Sequence, residues 1–396
     1  MCIRDREYFE LDSLSADFTN EPGMSRISVS SKLMDLDYAG TVSPADILAE
    51  LKGFLNAYFP LPGDKMLAQE SEQGEPGKPS GFTFTIQLYN HPILSEVLLP
   101  GLTSFEPGSI TGSFNSGTGD LRLDASMKRI VYGAMEINDL EVAAGTDSSA
   151  VHYAISAGSV AREQAGLANL VFAGNVVDNR IVADFTSVDD DNGKKLEIHS
   201  LITRDSAPYR LAIDPENLHL MYKRWEIDKD NHILFGHEGV MIHRMFLQDG
   251  AREISIASVN EQFNDDIAID IRNFQLGDLS RIIENDTSLV KGVVNGSILL
   301  KRADGTGGIV ADAAVSKLIV HGVPLGNLDL TTTNPSADRY DLRLELSGAG
   351  NDLTATGSFY TGSGGTTLDI TAAIASLSMK TVEAFAPRQV SETAGT

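Results

Sequence analysis

Tyr340 to Ser347 reads Tyr-Asp-Leu-Arg-Leu-Glu-Leu-Ser, and this octet decides the fold class. Leu342, Leu344 and Leu346 fall on one side, with Asp341, Arg343 and Glu345 on the other. Successive side chains of an extended chain point to opposite faces, so the octet is a strand with one dry and one wet face. Gly348-Ala349-Gly350-Asn351-Asp352 then turns the chain. Leu353, Ala355, Gly357 and Phe359 alternate on the way back. After Gly362-Ser363-Gly364-Gly365, a third strand carries Leu368, Ile370, Ala372 and Ile374. Three strands joined by glycine turns form an antiparallel meander.

The same period of two recurs outward from this stretch. Phe82, Phe84, Ile86 and Leu88 alternate with Thr83, Thr85 and Gln87. Leu121 and Leu123 flank Arg122. Ile181, Ala183 and Phe185 lead into Asp189-Asp190-Asp191-Asn192-Gly193, a hairpin turn signal. Ile254 and Ile256, then Ile267, Ile269 and Ile271, continue the pattern. The expected fold is mainly β, a long antiparallel repetitive sheet with about four short helices.

Those helices interrupt the alternation. One spans 44–59, with Ser43 as N-cap, Pro44 at the first position and an apolar stripe from Ile47 to Phe59. The others are expected at Pro92 to Leu99, from Asp278 through Leu279, Ile282 and Ile283, and from Ser378 to Phe385. Glu70 to Ser80 is polar and rich in Pro and Gly, hence a flexible insertion.

A weak internal repeat organises the rest. Ile86-Gln87-Leu88-Tyr89-Asn90 resembles Ile269-Asp270-Ile271-Arg272-Asn273. Gly108 to Phe114 resembles Gly292 to Ile298, and Val131-x-Gly133 with Asn138 matches Val320-x-Gly322 with Asn327. The expected division is 1–69 as the end of a preceding β-repeat, 70–80 as insertion, 81–262 and 263–390 as two repeats, and 391–396 as tail.

Composition removes several classes of function. Across 396 residues, 31 Lys and Arg against 55 Asp and Glu leave a net charge of −24, which opposes nucleic-acid binding. A hydrophobic share of 42% excludes wholesale disorder. No run approaches the roughly 18–20 apolar residues of a membrane-spanning helix. The single cysteine, Cys2, removes disulfide frameworks and cysteine-rich metal centres. Met1 to Arg6 have no turn, cap or strand logic, and the chain reads as a piece of a longer protein.

Chemical motifs are few. His237-Glu238 with His243 lacks the i, i+4 spacing that puts two zinc ligands on one helix face, so two strand histidines are the preferred reading. Asp189 to Asp191 and Asp228-Lys229-Asp230-Asn231 lack calcium-loop spacing and read as solvated turns. The glycine clusters at 305–308 and 362–365 open no helix and cannot cradle phosphate. No G-x-S-x-G elbow occurs. The chain reads as a non-enzyme without cofactor or metal, and Trp225, the one tryptophan, reads as packing.

Trp225-x-Ile227-x-x-x-Asn231-x-Ile233-x-Phe235, Val240-x-Ile242 and Ile254-Ser255-Ile256 are followed by Asn273-Phe274-x-Leu276-x-x-Leu279-x-x-Ile282-Ile283. Lys291-Gly292-x-x-Asn295-Gly296, Val320-x-Gly322-x-Pro324-Leu325-Gly326-Asn327-Leu328 and Gly350-Asn351-Asp352-Leu353-x-x-x-Gly357 come next. In this order, across residues 80–390, the motifs resemble the TamB (translocation and assembly module) family of AsmA-like bacterial envelope proteins. The resemblance implies a sheet curled lengthwise into an open, taco-like hydrophobic groove. It also implies a periplasmic location in Gram-negative bacteria, an inner-membrane anchor that this chain lacks, phospholipid transport and support of outer-membrane protein assembly. The partners implied are phospholipid acyl chains and, through a region missing here, an Omp85-type outer-membrane barrel protein.

The physics is compatible with that expectation. An apolar sheet face must be covered, and four short helices cannot cover a sheet of this length. An acyl chain gains about 0.8 kcal/mol per buried CH₂ and its contacts are non-directional, which permits sliding. The candidate lining is Phe82, Phe84, Ile86, Leu88, Ile254, Ile256, Leu342, Leu344, Leu346, Leu353, Phe359, Leu368, Ile370 and Ile374. The competing readings are a structural or adhesive β-repeat protein with a closed sheet-on-sheet core and, more distantly, a carbohydrate-active β-solenoid, for which no carboxylate pair stands out.

Overall fold

Period-two alternation governs the chain, and 69% strand against 8% helix makes the protein mainly β with long antiparallel sheets. The computed structural model describes residues 13–21, 23–60, 79–99, 101–147, 149–162, 165–204, 208–278, 290–302, 307–336, 338–362 and 365–385. The chain forms two compact units, Met1–Gly193 with His199–Asp205 and Lys194–Ile198 with Ser206–Thr396. This boundary lies within the stretch 81–262 that reads as one repeat, so contact and sequence repetition divide the chain at different places.

The first unit is a meander. Its strands are β1 (Leu14–Glu21), β2 (Met24–Ser31), β3 (Met34–Gly40), β4 (Gly81–Leu88), β5 (Leu102–Phe105) and β6 (Gly108–Asn115). They continue with β7 (Asp120–Tyr132), β8 (Met135–Thr146), β9 (Val151–Arg162), β10 (Ala165–Val177) and β11 (Arg180–Val188). Each pairs antiparallel with the next, except that β4 pairs directly with β6 while β5 lies along the end of β7. Hairpin tips take the left-handed backbone that tight turns need, as at Asp178 (φ 48°) and Asn179 (φ 60°) between β10 and β11.

Helix α1 spans Ile47–Asn56, three residues later than expected at its start. The Ser43 carbonyl accepts from Asp46 N–H (2.9 Å), and the hydroxyl accepts from Ala45 N–H (3.4 Å). Ser43 therefore closes a turn over 44–46 and the helix begins behind it. Ile47, Leu51 and Phe54 of α1 pack on buried Tyr38, Val42, Phe82 and Phe114. The segment expected as a helix at 92–99 is mostly a single π turn, Leu94–Leu98, closed by Leu99 N–H donating to the Leu94 carbonyl (2.7 Å).

In the second unit the strands after β12 (Lys194–Thr203) are short at first: β13 (Tyr209–Ile213), β14 (His219–Leu220), β15 (Lys223–Arg224), β16 (Glu226–Ile227), β17 (His232–Gly236) and β18 (Gly239–His243). A ladder follows: β19 (Met245–Asp249), β20 (Arg252–Ser258), β21 (Ile267–Gln275), β22 (Val290–Lys301), β23 (Gly308–Val320), β24 (Val323–Ser336), β25 (Arg339–Gly348), β26 (Asn351–Gly362) and β27 (Gly365–Ser376). With β16 at its start, this is a ten-stranded sheet. Helix α2 (Met379–Phe385) closes the described chain. Leu276–Asp278 begin a helical turn, while Leu279, Ile282 and Ile283 lie outside the described residues, as do Met1 to Arg6, Glu70 to Gly77 and the tail.

Trp225 anchors the largest core here. It is 1% exposed, packs with Leu218, Met221, Ile227, Met245 and Phe274, and donates Nε1–H to the Leu220 carbonyl (3.2 Å). A second core joins Leu318, Leu325 and Leu346.

Neither sheet is strongly curled, which corrects the expected taco-like trough. Sharp curvature needs bulges, because an inserted residue bends its strand. From β1 through β4 to β6–β11 the paired registers run without a shift. In the second unit the shifts sit mostly toward strand ends, as at Ile271/Phe274 and Lys291/Val293. The ladders between them stay regular.

Candidate functional site: two apolar rows

Residues directly opposite across antiparallel strands project from the same face, so the registers can be followed across each sheet. In the first unit one row runs Ala16, Val29, Leu36, Ile86, Ile110, Ala125, Val142, Ile155, Phe172, Phe185. Ten strands contribute and every side chain is apolar. At about 4.8 Å per strand the row is roughly 43 Å long. Beside it run Phe18, Ile27, Tyr38, Phe84, Gly112, Leu123, Ala144, Tyr153, Gly174 and Ala183. Two glycines there make room for close neighbours: a Cβ on Gly112 would meet the Phe84 ring at 2.4 Å, and one on Gly174 would meet the Val182 carbonyl oxygen at 1.8 Å and the Tyr153 hydroxyl at 2.9 Å.

The second unit repeats the arrangement. Its row is Ile227, Leu247, Ile254, Ile271, Gly296, Ala313, Leu330, Leu344, Ala355, Ala372. Four large aliphatics open the row, and Gly296 with Ala313, then Ala355 with Ala372, flank Leu330 and Leu344.

Both rows are half-buried for most of their length, and part of each is packed: Leu36 lies against the Tyr38 and Phe82 core, and Leu247, Ile254 and Ile271 lie against the Trp225 core. In the first, seven residues are half-buried and Ala16, Ile155 and Phe172 are exposed. In the second, Ile227 is buried under the Trp225 core, eight residues are half-buried and Ala372 is exposed.

The opposite faces are more polar. Asp17, Ser28, Asp37, Thr85, Thr111 and Asp124 follow one another from β1 to β7, and the line continues through Ala143, Ala154 and Ala173 to Asp184. Ser255, Asp270, Ser297, Asp312, Thr331, Arg343, Thr356 and Thr371 do so across the second. The Ser358 hydroxyl and the Arg339 guanidinium beside Asp341 hold its carboxyl below the usual carboxylate range.

All fourteen residues expected to line a groove lie on these two apolar faces, though in different surroundings. Ile86, Ile254 and Leu344 belong to the ten-residue rows. Phe84 and Leu88 flank the first row, and Ile256, Leu342 and Ile370 flank the second. Leu346, Leu353 and Ile374 form a further line, and Phe359 faces Leu368 near the strand ends. Phe82 and Leu346 are already covered, by α1 and by Leu318 with Leu325. Leu368, Ile370 and Ile374 on β27 are more than half exposed. Val29, Leu36, Val142 and Phe172 lie outside the expected lining, although Leu36 between Asp35 and Asp37, and Val142 after Leu140 and Glu141, carry the same period-two signal; only Phe172, beside Val171, Ala173 and Gly174, sits where the pattern is weak.

The other motifs take structural places. His243 lies in β18 and His237 in the preceding turn, so they share no helix face. Asp189 accepts the N–H groups of Asp191 (3.1 Å) and Gly193 (2.6 Å), closing its hairpin. Asp228 accepts from Asp230 N–H (2.9 Å) and pairs with Arg244 (2.7 Å). Among the described residues, no three or more His, Cys, Asp or Glu side chains form a metal centre, and no helix is long and apolar enough to cross a membrane.

The rows offer area without direction. They suit a ligand of repeated CH₂ groups, each worth about 0.8 kcal/mol when buried. No family model, curated protein or solved structure matches this chain.

Proposed function

We propose that this chain carries phospholipid acyl chains along its two apolar rows, as a TamB- or AsmA-like periplasmic protein that passes lipid between inner and outer membranes and supports outer-membrane protein assembly. The supporting observation is an apolar row across ten strands in each unit, half-buried for most of its length and, across β20–β27, backed by a polar line. A row that served only as core would be buried, since cores are close-packed. An acyl chain lying across strands meets apolar contacts at every step, and no step requires a fixed partner or a catalytic group. The polar faces keep the sheets soluble, and the head group stays in water.

The test is photocrosslinking in cells with the probe at Leu344, a row residue, and at Arg343, its neighbour on the polar face. Phospholipid adducts at Leu344 and none at Arg343 are expected. Crosslinks from Leu344 confined to this chain would replace the proposal with a closed, structural β-repeat.

A further inference from the structure

The β17–β18 hairpin brings together two histidines that are eleven residues apart in sequence. His232 and His243 are directly opposed in the antiparallel register. Their ring centroids are 4.6 Å apart and the planes tilt by 34°. They alternate with Ile233 and Ile242, which pack on the Trp225 core.

Each ring is already oriented through Nδ1. His232 Nδ1 lies 2.9 Å from the Asp230 carbonyl oxygen. His243 Nδ1 lies 2.9 Å from Glu261 Oε1. A carbonyl or a carboxylate can only accept, so both Nδ1 atoms carry a proton, which leaves Nε2 as the ring nitrogen that can ligate a metal ion. A backbone carbonyl or carboxylate holding the far ring nitrogen is the arrangement that orients metal-binding histidines. Arg244, the nearest cation in sequence, is paired with Asp228 (2.7 Å) and Asp230 (3.4 Å).

We propose that His232 and His243 form a two-imidazole site for an exchangeable divalent transition-metal ion, completed by water. In such a site both Nε2 atoms would lie about 2.0–2.1 Å from the ion. Neutral imidazoles select copper, nickel and zinc over magnesium and calcium, which prefer oxygen. Glu261 is a positioning residue that acts through His243. The site is independent of the apolar rows.

The test is calorimetric titration of the full chain with nickel or zinc chloride, and with magnesium chloride as control. One equivalent of nickel or zinc should bind and magnesium should not. H232Q and H243Q should each weaken binding by at least about tenfold, E261Q should weaken it by roughly tenfold, and H237Q should leave it unchanged. Trp225 fluorescence checks that each variant is folded. The electron paramagnetic resonance spectrum of the copper-loaded, unaltered chain should show coupling to two nitrogens. One-to-one binding that survives the H232Q/H243Q double variant overturns the proposal. So does absence of nickel, zinc or copper uptake by the folded chain at millimolar ion.

Discussion

Asn231 grips Ile213 at both of its backbone atoms. Its Oδ1 accepts the Ile213 N–H at 2.9 Å and its Nδ2 donates to the Ile213 carbonyl at 2.9 Å. The same Nδ2 donates to the Asp228 carbonyl at 2.7 Å. With 1% of its surface exposed, Asn231 acts as a one-residue strand that closes the ladder of β13.

Asn231→Ala strands the Ile213 amide and carbonyl without partners. Each fully buried orphan costs about 1–3 kcal/mol, and because Ile213 is only half-buried a loss toward the lower end of the summed range, roughly 2–4 kcal/mol, is expected. Urea denaturation followed by Trp225 fluorescence measures it, and a loss below about 1 kcal/mol would mean that water replaces the side chain.

Gly326 has φ +102°, and a Cβ there would come to 2.0 Å from the Ser347 carbonyl oxygen. Gly326→Ala therefore combines an unfavourable backbone region with a clash against the neighbouring strand. A cost above about 1 kcal/mol is expected. Hydrogen exchange should quicken in β24 and β25, where Asn327 and Ser347 pair.

Ile155 is 41% exposed toward the β11 end of the first row, so little core depends on it. Ile155→Asp should lower the melting temperature by only a few degrees, yet sharply reduce lipid crosslinking from a probe at Val142 across the strand pair. Ser156→Asp, on the opposite side of the strand, should leave crosslinking intact. Equal loss in both variants would detach the lipid proposal from this row.

Asp265 accepts from the backbone N–H of Asn260, from Asp266 N–H (2.8 Å) and from Asn260 Nδ2 (3.3 Å). The Asn260 bond is the principal reason its carboxyl sits below the ordinary range. Its stabilising contribution is therefore complete above the unfolded carboxylate value, near 3.9, and is lost as pH falls through the lower folded value. Asp265→Asn should weaken the 259–266 loop at neutral pH and flatten its response to acid below about pH 4. Amide exchange of Val259, which donates to the Asp266 carbonyl, reports both.

Much of the architecture was legible because period two is a local signal. The alternation at Leu342, Leu344 and Leu346 requires only that one face be dry, and the glycine turn at 348–350 requires only backbone that tolerates φ > 0. Helix ends were less legible. Ser43 and Pro44 are good first-turn residues, but Ser43 spends its carbonyl and hydroxyl on a turn, a choice made by contacts of the whole segment. Curvature was not legible at all, since it depends on where registers slip.

The sequence by itself determined that the chain is mainly β, that its strands have one dry face, and that it carries a net charge of −24. Tertiary structure alone decided which dry residues join. Ile86 meets Ile110, Ile155 meets Phe172, and Leu330 meets Leu344 through registers set by turn geometry and by strand pairing between segments distant in sequence. It likewise decided that His232, rather than His237, stands beside His243. The physical reason is that alternation states on which face a side chain lies, while only inter-strand hydrogen bonds state what lies opposite it.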